Sequence, residues 1–222
     1  MKKMYLVYDT ETKSLDTPLV YDIGGAIVDN TGKVYETFSW VIKEMWHDNW
    51  DLLKTAYYAE KLPNYLKELI EGKRELVTYF EAKQRIAEIC KKWNVQAIMA
   101  HNAYFDYSAT RFTQEFFTSG KYHSFLPYGI ELWDTLAMAR TAILPMKKYQ
   151  KFCYENGFLT EKTGRPKTSA EVLYRFISGN LDFVESHTGL EDVMIEKDIF
   201  AYCVKRKVKM KRELFNKKEL DN

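Results

Sequence analysis

At 222 residues the chain is long enough to bury one substantial core and short for two domains. Its 46% apolar and 29% charged residues argue against disorder over most of the length. With 33 basic against 31 acidic residues there is no global basic footprint, so any nucleic-acid binding must come from local clusters or from metal ions. Cys90, Cys153 and Cys203 are scattered with no C-x-x-C pair, which points to a reducing compartment and away from a zinc ribbon or disulfide framework. The apolar run after Met1-Lys2-Lys3 is too short for a signal peptide. No stretch approaches the roughly 20 apolar residues of a membrane span. The expectation is a soluble, cytoplasmic protein with no membrane partner.

In chain order, Met4 to Thr12 reads as a strand, followed by a polar turn and a second strand over Val20 to Val28. The turn Asp29-Asn30-Thr31-Gly32 leads into Val34 to Ile42, where Val34, Phe38, Trp40 and Ile42 share one parity. These strands predict an antiparallel meander. Ala82, Ile86, Ile89 and Trp93 then recur at helical spacing, and Val95 to His101 is a short buried strand. Asn102 is placed to cap a helix with an apolar stripe of Phe105, Ala109, Phe112 and Phe116. Ile130 to Trp133 is a further strand, followed by a helix to about Ile143. A connection spans 145–167 with a turn at Lys162 to Pro166. Thr168/Glu171 and Thr188/Glu191 have the spacing of capping boxes that open the last two helices. The order predicts an α/β architecture, a mixed five-stranded sheet flanked by helices.

Chemistry concentrates at a few acids. Asp9 and Glu11 alternate with Thr10 on the first strand and so share a face. Two carboxylates about 4 Å apart repel by roughly 4 kcal/mol at an effective dielectric of 20, so a cation is needed between them. A divalent metal on hard oxygen ligands is the economical one. Asp106 falls early in the helix after the fourth expected strand, beside the apolar stripe. Asp192 precedes Ile195, Ile199 and Tyr202 at +3, +7 and +10, so it lies on a core-facing stripe, where a carboxylate is costly unless paired or metal-bound. His187 stands in the loop at the same helix end.

Asp9-Thr10-Glu11-Thr12, Asn102-Ala103-Tyr104-Phe105-Asp106 and His187-x4-Asp192 together resemble the three motifs of the DnaQ-like DEDDh 3′–5′ exonucleases, which have an RNase H-like fold. Leu15 stands where the family often has an apolar wedge; Tyr21 to Ala26 is similar to its second strand and Trp133-Asp134-Thr135 to its fifth. The His-to-Asp spacing resembles the histidine subclass; the other subclass has Tyr where this chain has Thr188. The resemblance spans residues 4–205, and Lys167 to Tyr174 is similar to bacteriophage exonuclease-like proteins. Residues 1–205 are thus expected to form the exonuclease domain and 206–222 a basic C-terminal helix or tail.

The resemblance implies a 3′–5′ exonuclease that releases nucleoside monophosphates from the 3′ end of single-stranded DNA with two Mg²⁺ or Mn²⁺ ions about 3.5–4 Å apart. It implies Asp9, Glu11, Asp106 and Asp192 as metal ligands and His187 as the base. Thr10, Thr12, Leu15, Asn102 and Phe105 are the expected substrate contacts. RNA trimming, or proofreading beside a DNA polymerase or other replication proteins, stays open, because 2′-hydroxyl contacts are not legible in a sequence. So does a non-catalytic nucleic-acid-binding module, although none of the motif acids is lost. Trp46, Trp50, Tyr57, Tyr58 and Tyr65 form an aromatic-rich stretch suited either to base stacking or to helix packing. Lys205 to Arg212, with Lys217 and Lys218 beyond, suits a phosphate-tracking run or a solvated helix.

Overall fold

The computed structural model describes residues 2–120 and 124–215. β1 (Met4–Thr12), β2 (Val20–Asp29) and β3 (Val34–Ile42) form the expected antiparallel meander. Asp29 closes its second turn by accepting the Thr31 N–H at 2.8 Å, while Gly32 takes φ +81°. β4 (Glu75–Val77) adds parallel to β3, β5 (Val95–Ala100) parallel to β1, and β6 (Glu131–Asp134) parallel to β5. The sheet therefore has six strands in the order β4-β3-β2-β1-β5-β6, not five. The added strand is three residues at an edge, too short to leave a periodic trace.

Between β3 and β4 lie a π-helical turn, α1 (Trp50–Leu53), a 3-10 turn and α2 (Leu62–Ile70). Then come α3 (Tyr79–Lys92), α4 (Ala103–Phe117), α5 (Thr135–Ala142), α6 (Lys147–Glu155), α7 (Ala170–Ser178) and α8 (Gly189–Lys205). β1 and β2 are buried nearly throughout because both faces of the sheet are covered. Leu6, Tyr8, Phe38 and Trp40 pack with α3, α4 and the 45–65 segment; Tyr5 and Val7 pack with α5 to α8. Among the described residues, no helix is long and apolar enough to cross a membrane.

Several local expectations change. A register shift between Ile27 and Val28 turns Val34 to the sheet face opposite Phe38 and Trp40. On α4, Phe112 and Phe116 are 39% and 50% exposed, and the buried face is Ala103, Asp106, Ala109, Thr110 and Thr113. Asp106 is therefore on the core face rather than beside it. Small and hydroxyl-bearing residues fill that face, which a search for large apolar residues passes over. The 145–167 connection contains α6, whose apolar face is only Tyr149, Phe152 and Cys153. The box at Thr168 is absent: Ser169 is the N-cap residue, and Glu171 instead accepts the Glu185 N–H at 3.1 Å and pairs with Arg175 at 2.9 Å. The box that does form is Thr78/Glu81, opening α3. Trp46 and Tyr65 pack in the core, 5.9 Å apart, so the aromatic stretch is partly structural.

After α8, 207–212 is not helical. The Asp134 N–H donates to the Arg212 carbonyl at 2.7 Å and the Leu214 N–H to the Leu132 carbonyl at 2.8 Å, along the free edge of β6. The 206–215 segment is thus a tail rather than a helix, and 216–222, with Lys217 and Lys218, lies outside the described residues.

The contact that positions α8 is backbone to backbone. A Cβ on Gly24 would lie 2.1 Å from the Gly189 carbonyl carbon, so only glycine lets this helix end seat on β2. Gly24→Ala is expected to destabilise the protein by about 3 kcal/mol or more, read as a lower urea midpoint.

Candidate active site

β1 and β2 pair with Asp9 opposite Gly24 and Glu11 opposite Asp22, all on the α8 face. Asp22 is fully buried and accepts the Gly189 N–H at 2.9 Å and the Tyr65 hydroxyl at 2.7 Å. Arg74 reaches both of its oxygens, at 3.1 and 3.0 Å, and extends to Glu68 and Glu191. This ties the first turn of α8 to the sheet. One turn along, Asp192 arrives against Asp9 and Glu11, and one oxygen from each of the three lies within 4.8 Å of the others.

Asp106 comes from the opposite face, around the end of the sheet. The Thr10 N–H and hydroxyl donate to its Oδ1 at 3.1 and 2.8 Å. The Thr10 hydroxyl is thus committed to orienting Asp106 rather than free for a ligand. Asn102, the residue before α4, is in the left-handed conformation, φ +70°, and its side chain makes no capping bond. Its N–H donates instead to Asp134 Oδ1 at 3.0 Å, which also accepts the Leu136 N–H and so caps α5. Asn102 does not line the cleft beside the acids.

That cleft, about 350 Å³, is walled by Thr10, Glu11, Thr12, Ser14, Leu15, Tyr57, Tyr58 and Phe105. Leu15 is 82% and Tyr57 77% exposed, so large apolar surfaces stand open beside carboxylates. Tyr57 and Tyr58 meet edge to face at 4.8 Å.

His187 has φ +51° and stacks on Tyr58, ring centroids 4.8 Å apart and planes 11° from parallel. Lys61 lies 3.9 Å from the centre of the Tyr58 ring and donates to the carbonyls of Ser186 and His187 at 2.6 and 3.2 Å. Burial and then the Lys61 charge hold the imidazole pKa below its ordinary value. The Thr188/Glu191 box is not formed, because Thr188 Oγ1 donates to the Glu191 carboxylate at 2.6 Å while Glu191 pairs with Arg74.

Burial, then neighbouring charge, raises every acid of the cluster. Asp9 goes well above the carboxylate range through burial, Asp106 and Glu196. Glu11 is pushed up to about 9 by burial and Asp192, and Asp192 to about 8 by burial and Glu185. Asp106 reaches about 7 through burial, despite the Thr10 hydrogen bonds that oppose the rise. An all-oxygen set that resists ionisation until a cation arrives fits Mg²⁺ or Mn²⁺.

The sequence marks Tyr58 only as part of an aromatic stretch, not as a partner of His187, and does not single out Lys61 or Glu196. The first two lie in a segment with no periodic pattern. Glu196 had a visible signal, its +4 spacing from the core-facing Asp192.

The fold, a mixed sheet covered by helices on both faces, is like that of solved exonuclease structures. The chain is similar to E. coli Exonuclease I in complex with a 5cy-dT13 oligonucleotide at 15% identity and TM-score 0.56, over 93% of this chain and 41% of that one. The zinc ion bound form of the E. coli ExoI–ssDNA complex is similar at 15% identity and TM-score 0.50, over 93% and 41%. Exonuclease X in complex with 5′ overhanging duplex DNA aligns over 91% and 92% of the two chains at 15% identity and TM-score 0.42. The chain spans about two fifths of the length of the Exonuclease I chains. No family model and no curated protein matches it.

The raised carboxyls set a pH dependence. Each binds a proton in the folded chain where the unfolded chain, with pKa near 4, has lost it. The folded state holds more protons, so its stability falls as pH rises. In EDTA, the melting temperature is expected to fall from about pH 4, where the unfolded carboxyls ionise, and to level off across about pH 7 to 9, as Asp106, Asp192 and Glu11 ionise in the folded chain. Millimolar Mg²⁺ should raise and flatten the curve by binding linkage. Identical melts with EDTA and Mg²⁺ would count against a metal centre.

Proposed function

We propose that the protein is a divalent-metal-dependent 3′–5′ exonuclease acting on single-stranded DNA. The convergence of Asp9, Glu11 and Asp192 carboxylate oxygens within 4.8 Å, beside an open apolar cleft, carries this reading. It is supported by the three motifs, whose Asp9 and Glu11 lie on β1, Asp106 on α4, His187 in the loop before α8 and Asp192 in its first turn. The fold likeness to Exonuclease I, seen with an oligonucleotide, supports DNA as the substrate class.

Asp9, Glu11 and Asp192, with Asp106, are the groups that would hold metal. Bound divalent ions supply charge neutralisation at the scissile phosphate and make an attacking water more acidic. His187, neutral near pH 7 because burial and Lys61 disfavour its cation, accepts the proton of that water at a ring nitrogen. The Tyr58 stack orients the ring, and Lys61 fixes the backbone that carries it. Leu15, Phe105 and Tyr57 receive the terminal nucleotide, whose base stacks without sequence preference.

Asp9→Asn and Asp192→Asn are each expected to abolish hydrolysis while the far-ultraviolet spectrum is unchanged. The assay follows 5′-labelled single-stranded DNA, duplex DNA and RNA of one sequence on a gel. A ladder shortening from the 3′ end on the single-stranded DNA is the expected result. Cleavage confined to RNA overturns the substrate, and wild-type turnover by either variant overturns the site. Tyr57→Ala is expected to raise KM for the oligonucleotide roughly five-fold, about 1 kcal/mol of stacking, with kcat nearly unchanged.

A further inference from the structure

Glu196 lies one turn beyond Asp192 on the buried face of α8 and is 3% exposed. Its carboxylate accepts the backbone N–H of His101, the residue between β5 and the helix that carries Asp106. The carboxylate therefore bridges the two elements that deliver Asp192 and Asp106. Its Oε2 is buried and has no hydrogen-bond partner. Among the described residues, no Lys, Arg or His side chain pairs with it.

This atom lacks a partner in either protonation state. Ionised, it is a buried anion without a cation, and protonated, its O–H has no acceptor; both are strongly disfavoured in an apolar interior. Leu, Ile or Met would fill the position on α8 without that penalty, so the carboxylate is not there for packing. Its charged neighbours include Asp9, Asp106 and Asp192, beside the converging group of Asp9, Glu11 and Asp192.

We propose that Glu196 is a fifth carboxylate of the divalent-metal centre, its free Oε2 serving as a further oxygen donor on the side of the site shared by Asp9 and Asp106. The inference rests on the metal-dependent reading above. Electrostatics are consistent with the location. Burial, Asp106 and Asp192 push the Glu196 carboxyl far above its usual range, and Glu196 is among the charges that raise Asp9.

The test is calorimetric titration of Mn²⁺ or Mg²⁺ into the metal-free full chain, with thermal melts alongside. Glu196→Gln keeps an acceptor for the His101 N–H and removes the anionic donor. It is expected to weaken at least one divalent site about ten-fold, or to lower the number of ions bound, and to shrink the metal-induced rise in melting temperature. Glu196→Leu removes the buried polar group. It is expected to melt higher than wild type in EDTA and to show the same loss of metal affinity, so a poorly folded Gln variant does not end the test. Wild-type affinity and stoichiometry in either folded variant overturn the proposal while leaving the metal centre standing. If the wild-type chain itself takes up no metal, as Asp9→Asn is expected not to, the metal-dependent reading falls and the inference with it.

Discussion

The hydrogen bond from the Gly189 N–H to Asp22, together with the bare backbone contact of Gly24 and Gly189, is the constraint on which the site depends. It fixes how far the first turn of α8 lies from β2, and the helix rise then sets where Asp192 meets Asp9 and Glu11. Asp22 can be buried there because Arg74 covers both of its oxygens. A buried pair of this kind adds little net stability but is expensive to break. Its value here is geometric: it registers a helix against a sheet without a side chain between them.

The carboxylates are then held against their own repulsion. Rigid elements deliver them from both sides of the sheet end, Asp9, Glu11 and Asp192 on one face and Asp106 around the end from the other. The cluster answers the repulsion by retaining protons. Folding thus stores a preorganised demand for cations, and Lys61 is the side chain that moderates it, lowering the pKa of both Glu11 and Asp192. The same lysine clamps the His187 loop, so His187 and the acids share one electrostatic partner.

Much of this was legible in the chain. Asp9 and Glu11 stand out because acids at the end of an apolar strand break its pattern, and Asp192 because it interrupts a helical stripe. The meander and α3 follow from periods of two and 3.6. What escaped detection lacked periodicity or depended on partners distant in sequence. Asp106 was assigned beside the core face because its helix buries Thr and Ala and exposes Phe112 and Phe116. Thr188 and Glu191 have capping-box spacing, but Arg74, far upstream, claims the glutamate. Tyr58 and Lys61 act through tertiary contacts that no local pattern encodes. Glu196 was hidden by Ile195 and Ile199, whose stripe explained the helix without it.

The tail that runs along β6 also determines what the molecule can assemble with. Arg212 lies over the Trp133 ring at 4.3 Å and the main chain around it bonds to β6, so this basic residue is spent on closing a sheet edge. At the other end of the sheet β4 offers only three residues. A short edge and a covered edge are both poor templates for a strand from another chain. At the β6 edge, the tail thus occupies the place where a strand from a second copy would add.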